Sequence, residues 1–293
     1  MIKVGIIGAS GYTGEKISNL LENHKKAKLE MVCSTSHVGK KVSELFPKTK
    51  SDLVFSEIDF EKLNKMDCVF LAVPHGEAKK IAEKINSKII DLSADHRSTH
   101  VYGLSDVFKN DLFGVKLIAN PGCYATACLL GAWPMKDQIE TIAFDCISGY
   151  SGGGKTNKYD FEENIMAYNL TNHFHKKEIL EQIGLDISFV PHVVNAFNGL
   201  MSTVHIKLKE EIKKEEIFEK YSKLYANSFT SILDSVPCTK EVINTPQCKI
   251  GFEVSGKELV VVSVIDNLMK GSSSQAIENM NLMFGFNQKE GLC

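Results

Sequence analysis

The 293-residue chain contains no Cys-x-x-Cys pair, a single Trp, almost no net charge and no long apolar run. Each absence excludes something. Eight cysteines, at 33, 68, 123, 128, 146, 238, 248 and 293, without that spacing give neither the usual zinc site nor a thioredoxin-type redox motif. A formal net charge of −2 offers no electrostatic attraction to nucleic acid or an anionic membrane. No apolar stretch approaches the roughly 20 residues that span a bilayer. The opening MIKVGIIGAS has no basic segment followed by a long apolar region, so no secretory signal is expected. These features predict a cytoplasmic protein with reduced cysteines, most of them small buried hydrophobes, and no metal. With 43% apolar and 24% charged residues, the chain reads as globular and long enough for two intimate domains.

Strand and helix patterns alternate in the first half. IKVGII (2–7), KLEMVC (28–33), MDCVFLAVP (66–74), KIIDLS (88–93) and VKLIAN (115–120) read as strands. EKISNLLEN (15–23) and GEAKKIAEKI (76–85) carry helical apolar spacing. That alternation predicts a parallel sheet with helices on both faces. After about residue 140 the pattern changes to long alternating stretches: ISFVPHVV (187–194), LMSTVHIKLK (200–209) and ELVVVSVIDNL (258–268). One amphipathic helix is expected over 210–229 and a final one over 272–285. The second half therefore reads as an α+β domain with a mainly antiparallel sheet.

GASGYTG (8–14) follows the first strand and opens the first helix, with glycines at 8, 11 and 14. G-x-x-G-x-x-G is a variant of the dinucleotide fingerprint, and the physics is the same: a tight turn and close backbone approach to a pyrophosphate at a helix N-terminus. Gly8, Ser10, Gly11, Tyr12, Thr13 and Gly14 are the expected cofactor contacts. NAD-type sites place an Asp or Glu at the end of the second strand. Here that strand ends in Cys33-Ser34-Thr35-Ser36, with Lys40 and Lys41 following. Hydroxyls and lysines accept a 2′-phosphate that a carboxylate would repel, so NADP is favoured, with Ser34, Ser36 and Lys40 as its contacts.

IANPGCYAT (118–126) puts Cys123 after a strand and a Pro-Gly turn, in the first turn of an expected helix. The helix N-terminus stabilises a thiolate there, below the ordinary pKa of about 8.5. Cys123 is the candidate nucleophile; Cys128, on another helix face, is expected in the core. A nucleophilic cysteine needs an acid/base partner. His173 and His175 in NHFHKKEI (172–179) are the best candidates, with His192 next, and sequence does not choose between the first two.

A second glycine loop, GYSGGGKT (149–156), matches the phosphate-loop pattern of NTPases in full. No strand ending in a magnesium-binding Asp accompanies it, and the parallel half already has its dinucleotide loop. The alternative is that successive N–H groups and Lys155 hold a substrate anion.

Taken together, the chain resembles the N-acetyl-γ-glutamyl-phosphate reductases of the aspartate-semialdehyde dehydrogenase-like superfamily. The resemblance runs in order through GASGYTG, DLSADHR (91–97), NPGCYAT, SGYSGGGK (148–155), HFHKKEI (173–179), the PH-x-x-N stretch 191–195, IGFEVSGKELVVVSVIDNLMKGSSSQA (250–276) and MFGF (283–286). It implies a Rossmann NADP-binding domain, 1–121 with 268–293, and a catalytic and dimerisation domain, 122–267. It also implies a reaction: Cys123 attacks an acyl phosphate, phosphate leaves, and hydride from NADPH reduces the thioester to an aldehyde with His173 or His175 as acid. Ser151, Gly152 and Asn267 join the cofactor contacts on this reading. Arg97, Asn120, Ser151, Gly153, Lys155 and His192 become the substrate contacts. The family arginine between the two histidines is Phe174 here, its usual proline before Glu-Ile is Lys177, and another family arginine is Asn198. Arg97 or Lys155 is the cation left to compensate. A dimer or tetramer is implied. The other readings are a reductase of a homologous aminoadipyl or aspartyl phosphate, a P-loop NTPase, and a non-catalytic dinucleotide sensor.

Overall fold

Short runs of consecutive apolar residues build the first sheet. In the computed structural model, which describes residues 1–155 and 163–292, these strands are β1 (Ile2–Ile7), β2 (Ala27–Cys33), β3 (Cys68–Leu71), β4 (Lys88–Asp91), β5 (Val101–Tyr102) and β6 (Leu117–Ala119). Thr156 of the second glycine loop and Cys293 lie outside the described residues. All six strands pair in parallel, in the order β2-β1-β3-β4-β6-β5. Every residue of β3 and of β6 is buried, as expected for a sheet covered on both faces. One side is filled by Ile7, Met31, Leu63, Val69, Leu71, Ile85 and Ile89.

The chain divides into two units, Met1–Pro121 with Ser272–Cys293, and Gly122–Gly271. The returning C-terminal segment gives the first unit its helix Ser274–Met283, almost wholly buried despite five polar residues. Partners account for the amide groups of Asn279 and Asn281. Asn279 donates to Gly103 O (2.9 Å) and Asn120 Oδ1 (2.8 Å), and Asn281 donates to the carbonyls of Gln288 and Glu290.

The second unit contains β7 (Ile139–Gly149), β8 (Ile165–Ala167), β9 (Ile187–Val194), β10 (Leu200–Leu208), β11 (Thr230–Ile232), β12 (Cys248–Ser255) and β13 (Glu258–Ile265). They form one sheet in the order β11-β12-β13-β10-β7-β9-β8. Two pairings are parallel, β7 with β9 and β11 with β12; the rest are antiparallel. The architecture is thus the expected Rossmann-type unit followed by an α+β unit with a mainly antiparallel sheet. The amphipathic helix is shorter than its sequence pattern, covering Lys214–Leu224, because Asn227 takes a left-handed φ of 65° that helices do not continue through.

The helix Cys123–Ala132 lies on this sheet and is buried on every side, with only Cys123 half-buried at its N-terminal end. Its apolar, small-residue sequence, CYATACLLGA, suits a helix with no solvent face. The last carbonyls are satisfied from outside, Leu130 O by Tyr225 Oη (2.6 Å) and Gly131 O by Tyr221 Oη. Cys128 packs beneath it against Cys146 (3.4 Å) and Ser202 (3.3 Å), and burial pushes its thiol well up. Among the described residues, no helix is long and apolar enough to cross a membrane.

Candidate active site

In the N-terminal unit the three glycines of GASGYTG have different surroundings. Gly8 has φ +82°, and a Cβ there would overlap the Ala72 carbonyl oxygen at the end of β3. Only glycine makes that turn without strain. Gly14 sits against Ala9, whose Cα lies 2.6 Å from where a Cβ would be, so the helix Tyr12–Glu22 approaches its strand closely. At Gly11, the N-cap, a Cβ would meet nothing nearer than Gly8 O at 3.6 Å. No protein neighbour demands glycine at this N-cap, the position where a dinucleotide loop keeps its backbone bare for a pyrophosphate. The three roles are those of a dinucleotide loop, and the strand order reverses at β1, where such ligands bind.

The adenosine end fits as well. Ser34 is buried, with its Oγ 2.9 Å from Ser10 Oγ of the loop; Ser36 and Lys40 are exposed; residues 33–41 include no carboxylate. Thr13 Oγ1 lies 3.3 Å from Ser272 Oγ, and Tyr12 is half-buried as the first helical residue.

Arg97 and Asn120, expected at the substrate, also belong to this unit, and both are buried in its framework. Arg97 Nε donates to Asn120 O (3.1 Å) and its Nη2 to Leu92 O (3.2 Å). Asn120 donates to Pro121 O and Ser272 O and accepts from Asn279. Those bonds fasten the strand end that leads to Gly122.

In the second unit Cys123 is the first residue of its helix, after the N-cap Gly122. Two neighbours hold it in place that the sequence reading did not single out. Gly271 presses on it: a Cβ at 271 would lie 2.8 Å from Cys123 Cβ. The buried carboxylate of Glu178 accepts the Gly122 N–H at 2.9 Å through Oε1. Its Oε2 is 3.9 Å from His175 Nε2. The i, i+3 spacing of His175 and Glu178 on one helix was a usable signal.

The two histidines do different jobs. His173 caps the helix Phe174–Ile183, its Nδ1 accepting the His175 N–H at 3.2 Å. A nitrogen that accepts carries no proton, so this ring is neutral; burial pushes its pKa down to about 4. Phe174, where the family arginine is expected, stacks on His173 at 4.7 Å and 19°. Tyr124 lies edge-on to both imidazoles, at 5.8 and 5.6 Å. Its hydroxyl donates to His192 O (2.7 Å), while His192 Nδ1 lies 3.2 Å from Cys146 O.

The loop 149–155 is not built as a nucleotide phosphate loop. The N–H groups of Gly149, Tyr150 and Ser151 donate to the carbonyls of Gly199, Ala196 and Phe197, and that of Gly154 to Ser151 O. Asn267, buried, donates to Ser151 Oγ (2.9 Å) and accepts from Gly199 N (2.9 Å), clamping the loop from behind. Gly152, Gly153 and Lys155 are exposed. Asn198 donates to the buried Asp266 (2.6 Å). Among the described residues no group of three or more His, Cys, Asp or Glu is arranged to hold a metal ion.

Curated relatives align with this chain from end to end. It is 35% identical to the N-acetyl-gamma-glutamyl-phosphate reductase of Archaeoglobus fulgidus, covering 99% of this chain and 98% of that protein. Against the reductases of the same name from Halothermothrix orenii and Campylobacter jejuni it is 37% identical, again over 98% of each. The chain belongs to the N-acetyl-γ-glutamyl-phosphate reductase family. Residues 3–115 match the family model of the semialdehyde dehydrogenase NAD binding domain, and 123–267 that of the dimerisation domain. The chain shares its fold with solved aspartate semialdehyde dehydrogenases. The type II enzyme of Vibrio cholerae has a TM-score of 0.80 at 16% identity, covering 96% of this chain and 98% of that one. The Francisella tularensis enzyme has a TM-score of 0.78 at 14% identity, covering 96% and 99%.

Proposed function

We propose that the protein is the NADPH-dependent reductase of N-acetyl-γ-glutamyl phosphate, forming N-acetylglutamate 5-semialdehyde and phosphate in arginine biosynthesis. The observation that carries the reading is Cys123, the one half-buried residue of an otherwise buried helix, at that helix's first turn. The N-terminus favours its thiolate. Cys123 Sγ attacks the acyl carbon, the carbon–oxygen bond to phosphate breaks, and phosphate leaves with the bonding pair, giving a thioester. Bound NADPH supplies the hydride that reduces this thioester.

His175 is the acid in this reading, since His173 spends its Nδ1 as a helix cap. Glu178 Oε2 lies 3.9 Å from His175 Nε2, on the side where an imidazolium stabilising the developing oxyanion would meet a carboxylate. When the aldehyde forms, Cys123 regains its thiolate. NADP rather than NAD is supported by Ser34, Ser36 and Lys40 and by the absence of a carboxylate at the end of β2. On the substrate side, the exposed Gly152, Gly153 and Lys155 with Ser151 and His192 contact the acyl phosphate. The dimerisation-domain match supports a homodimer or tetramer. The seven cysteines among the described residues are free thiols, which suits the reducing cytoplasm.

Phosphate-dependent oxidation of N-acetylglutamate semialdehyde with NADP tests the reading, run beside the aminoadipate and aspartate semialdehydes. Cys123→Ser is expected to lower turnover by roughly a thousandfold or more. Near-normal turnover in that variant overturns the mechanism, and faster turnover of either homologue overturns the substrate.

A further inference from the structure

We propose that His37 discriminates NADP from NAD by binding the adenosine 2′-phosphate, an inference that rests on the NADP reading above. A run of side chains leads to it from the glycine loop. Ser10 Oγ is 2.9 Å from Ser34 Oγ, Ser34 Oγ is 3.5 Å from Ser36 Oγ, and Ser36 Oγ is 2.7 Å from His37 Nδ1. The Ser36 N–H also donates to Ser34 Oγ at 3.3 Å. This run begins on the pyrophosphate loop and ends just past β2, where an NAD-type site keeps its ribose-binding carboxylate.

His37 is held rather than loose. Its ring sits 6.1 Å from that of the buried Phe55, tilted by 53°. Its carbonyl accepts the Lys40 N–H at 3.1 Å, closing a turn in which Gly39 has φ +83°. Gly39 N donates to Phe55 O and Phe55 N donates to Lys40 O, so the turn is tied to its neighbour on both sides. Half-exposed, the ring has its Nδ1 engaged by Ser36 and its Nε2 as the second polar atom. With Nδ1 accepting the Ser36 hydroxyl proton, Nε2 carries the N–H that donates to a phosphate oxygen. Lys40 and Lys41, exposed at the end of the same turn, add charge without fixed geometry. No arginine lies between residues 33 and 41, so the imidazole is the group with a fixed direction in this segment.

The test measures binding of two fragments, 2′,5′-ADP and 5′-ADP, to the full chain by calorimetry at fixed pH and ionic strength. Neither fragment can carry a hydride, so the readout is separate from turnover. Wild type is expected to bind 2′,5′-ADP about tenfold or more tightly over 5′-ADP, as one or two charge-assisted hydrogen bonds provide. His37→Ala is expected to lose most of that ratio through weaker 2′,5′-ADP binding alone, and His37→Arg to restore it. A His37→Ala protein that keeps the wild-type ratio overturns the proposal and leaves the NADP reading standing. An equal loss for both fragments also overturns it, because the residue then shapes the loop. A wild type without preference for 2′,5′-ADP sinks the NADP reading itself.

Discussion

Two glycine-rich loops, GASGYTG and GYSGGGK, look alike in composition and are used in opposite ways. The first ends in an 11-residue helix opening on Tyr12, and the first turn of any helix leaves N–H groups without intrahelical carbonyls. Its glycines are demanded by neighbours, the Ala72 carbonyl at Gly8 and Ala9 at Gly14. The second loop ends in a short turn, Tyr150–Gly153, and most of its early N–H groups are taken by the segment 196–199. Gly149 is the exception that proves tight: its Cβ would lie 2.7 Å from Ala196 O, whereas Gly152 has only ordinary neighbours at 3.6 and 3.7 Å. Glycine content therefore does not identify a phosphate site. What decides is whether the N–H groups meet protein carbonyls or a helix mouth.

The same division separates His173 from His175. One is a cap whose acceptor nitrogen is used up, and the other faces a buried carboxylate.

The sharpest way to break the comparison is Gly8→Ala. It combines an unfavourable φ with an overlap on Ala72, and should destabilise the N-terminal unit by about 3 kcal/mol. Thermal unfolding with and without NADP would show both the lower midpoint and the lost cofactor stabilisation; an unchanged affinity would remove the loop from the cofactor site. Among the histidines, His175→Gln should lower kcat by about a hundredfold or more, while His173→Asn, which keeps an acceptor at the cap, should leave kcat within a few-fold. Equal losses in both would mean that His173 takes part in proton transfer after all.

A smaller effect concerns pH. His173 has its pKa lowered from 6.5 to about 4 in the folded state by burial, so the unfolded chain binds the extra proton between those values. Stability from this residue is fully present above about pH 6.5 and is lost as pH falls toward about 4. Denaturant titrations across that window should show a slope that His173→Asn flattens; the same slope in both would assign it to other groups. Smallest of all, Gly152→Ala should change stability by less than about 0.5 kcal/mol. A raised KM for phosphate in that otherwise stable variant would place the anion at the exposed end of the loop, and an unchanged KM would place it elsewhere.

Much of the fold was legible because its signals are local. Consecutive apolar residues marked β3 and β6, and alternation marked β9 and β10. Less was legible where the backbone broke the pattern without a glycine or proline to announce it, as at Asn227, whose left-handed φ of 65° follows the shortened amphipathic helix. Within the site, Cys123 was visible because Pro-Gly before an apolar run announces a helix start. Glu178 and Gly271 lie inside longer motifs, yet nothing near them in sequence says what they touch. Arg97 and Asn120 are polar residues in a motif-bearing stretch, and only their buried hydrogen bonds reveal them as fasteners.

By itself, the sequence determined the strand–loop–helix that turns at Gly8 and the placement of Cys123 at a helix mouth. Both depend on residues within one turn or strand of each other. Tertiary structure alone decided which histidine caps the helix and which faces a carboxylate, what seats the cysteine, and what the second glycine loop does with its N–H groups. Those answers come from partners far along the chain: Glu178 bonds Gly122 across 56 residues, and Asn267 bonds Ser151 across 116. A hydrogen bond at such separation leaves no periodic trace in the sequence, because its two ends are brought together by packing rather than by local geometry.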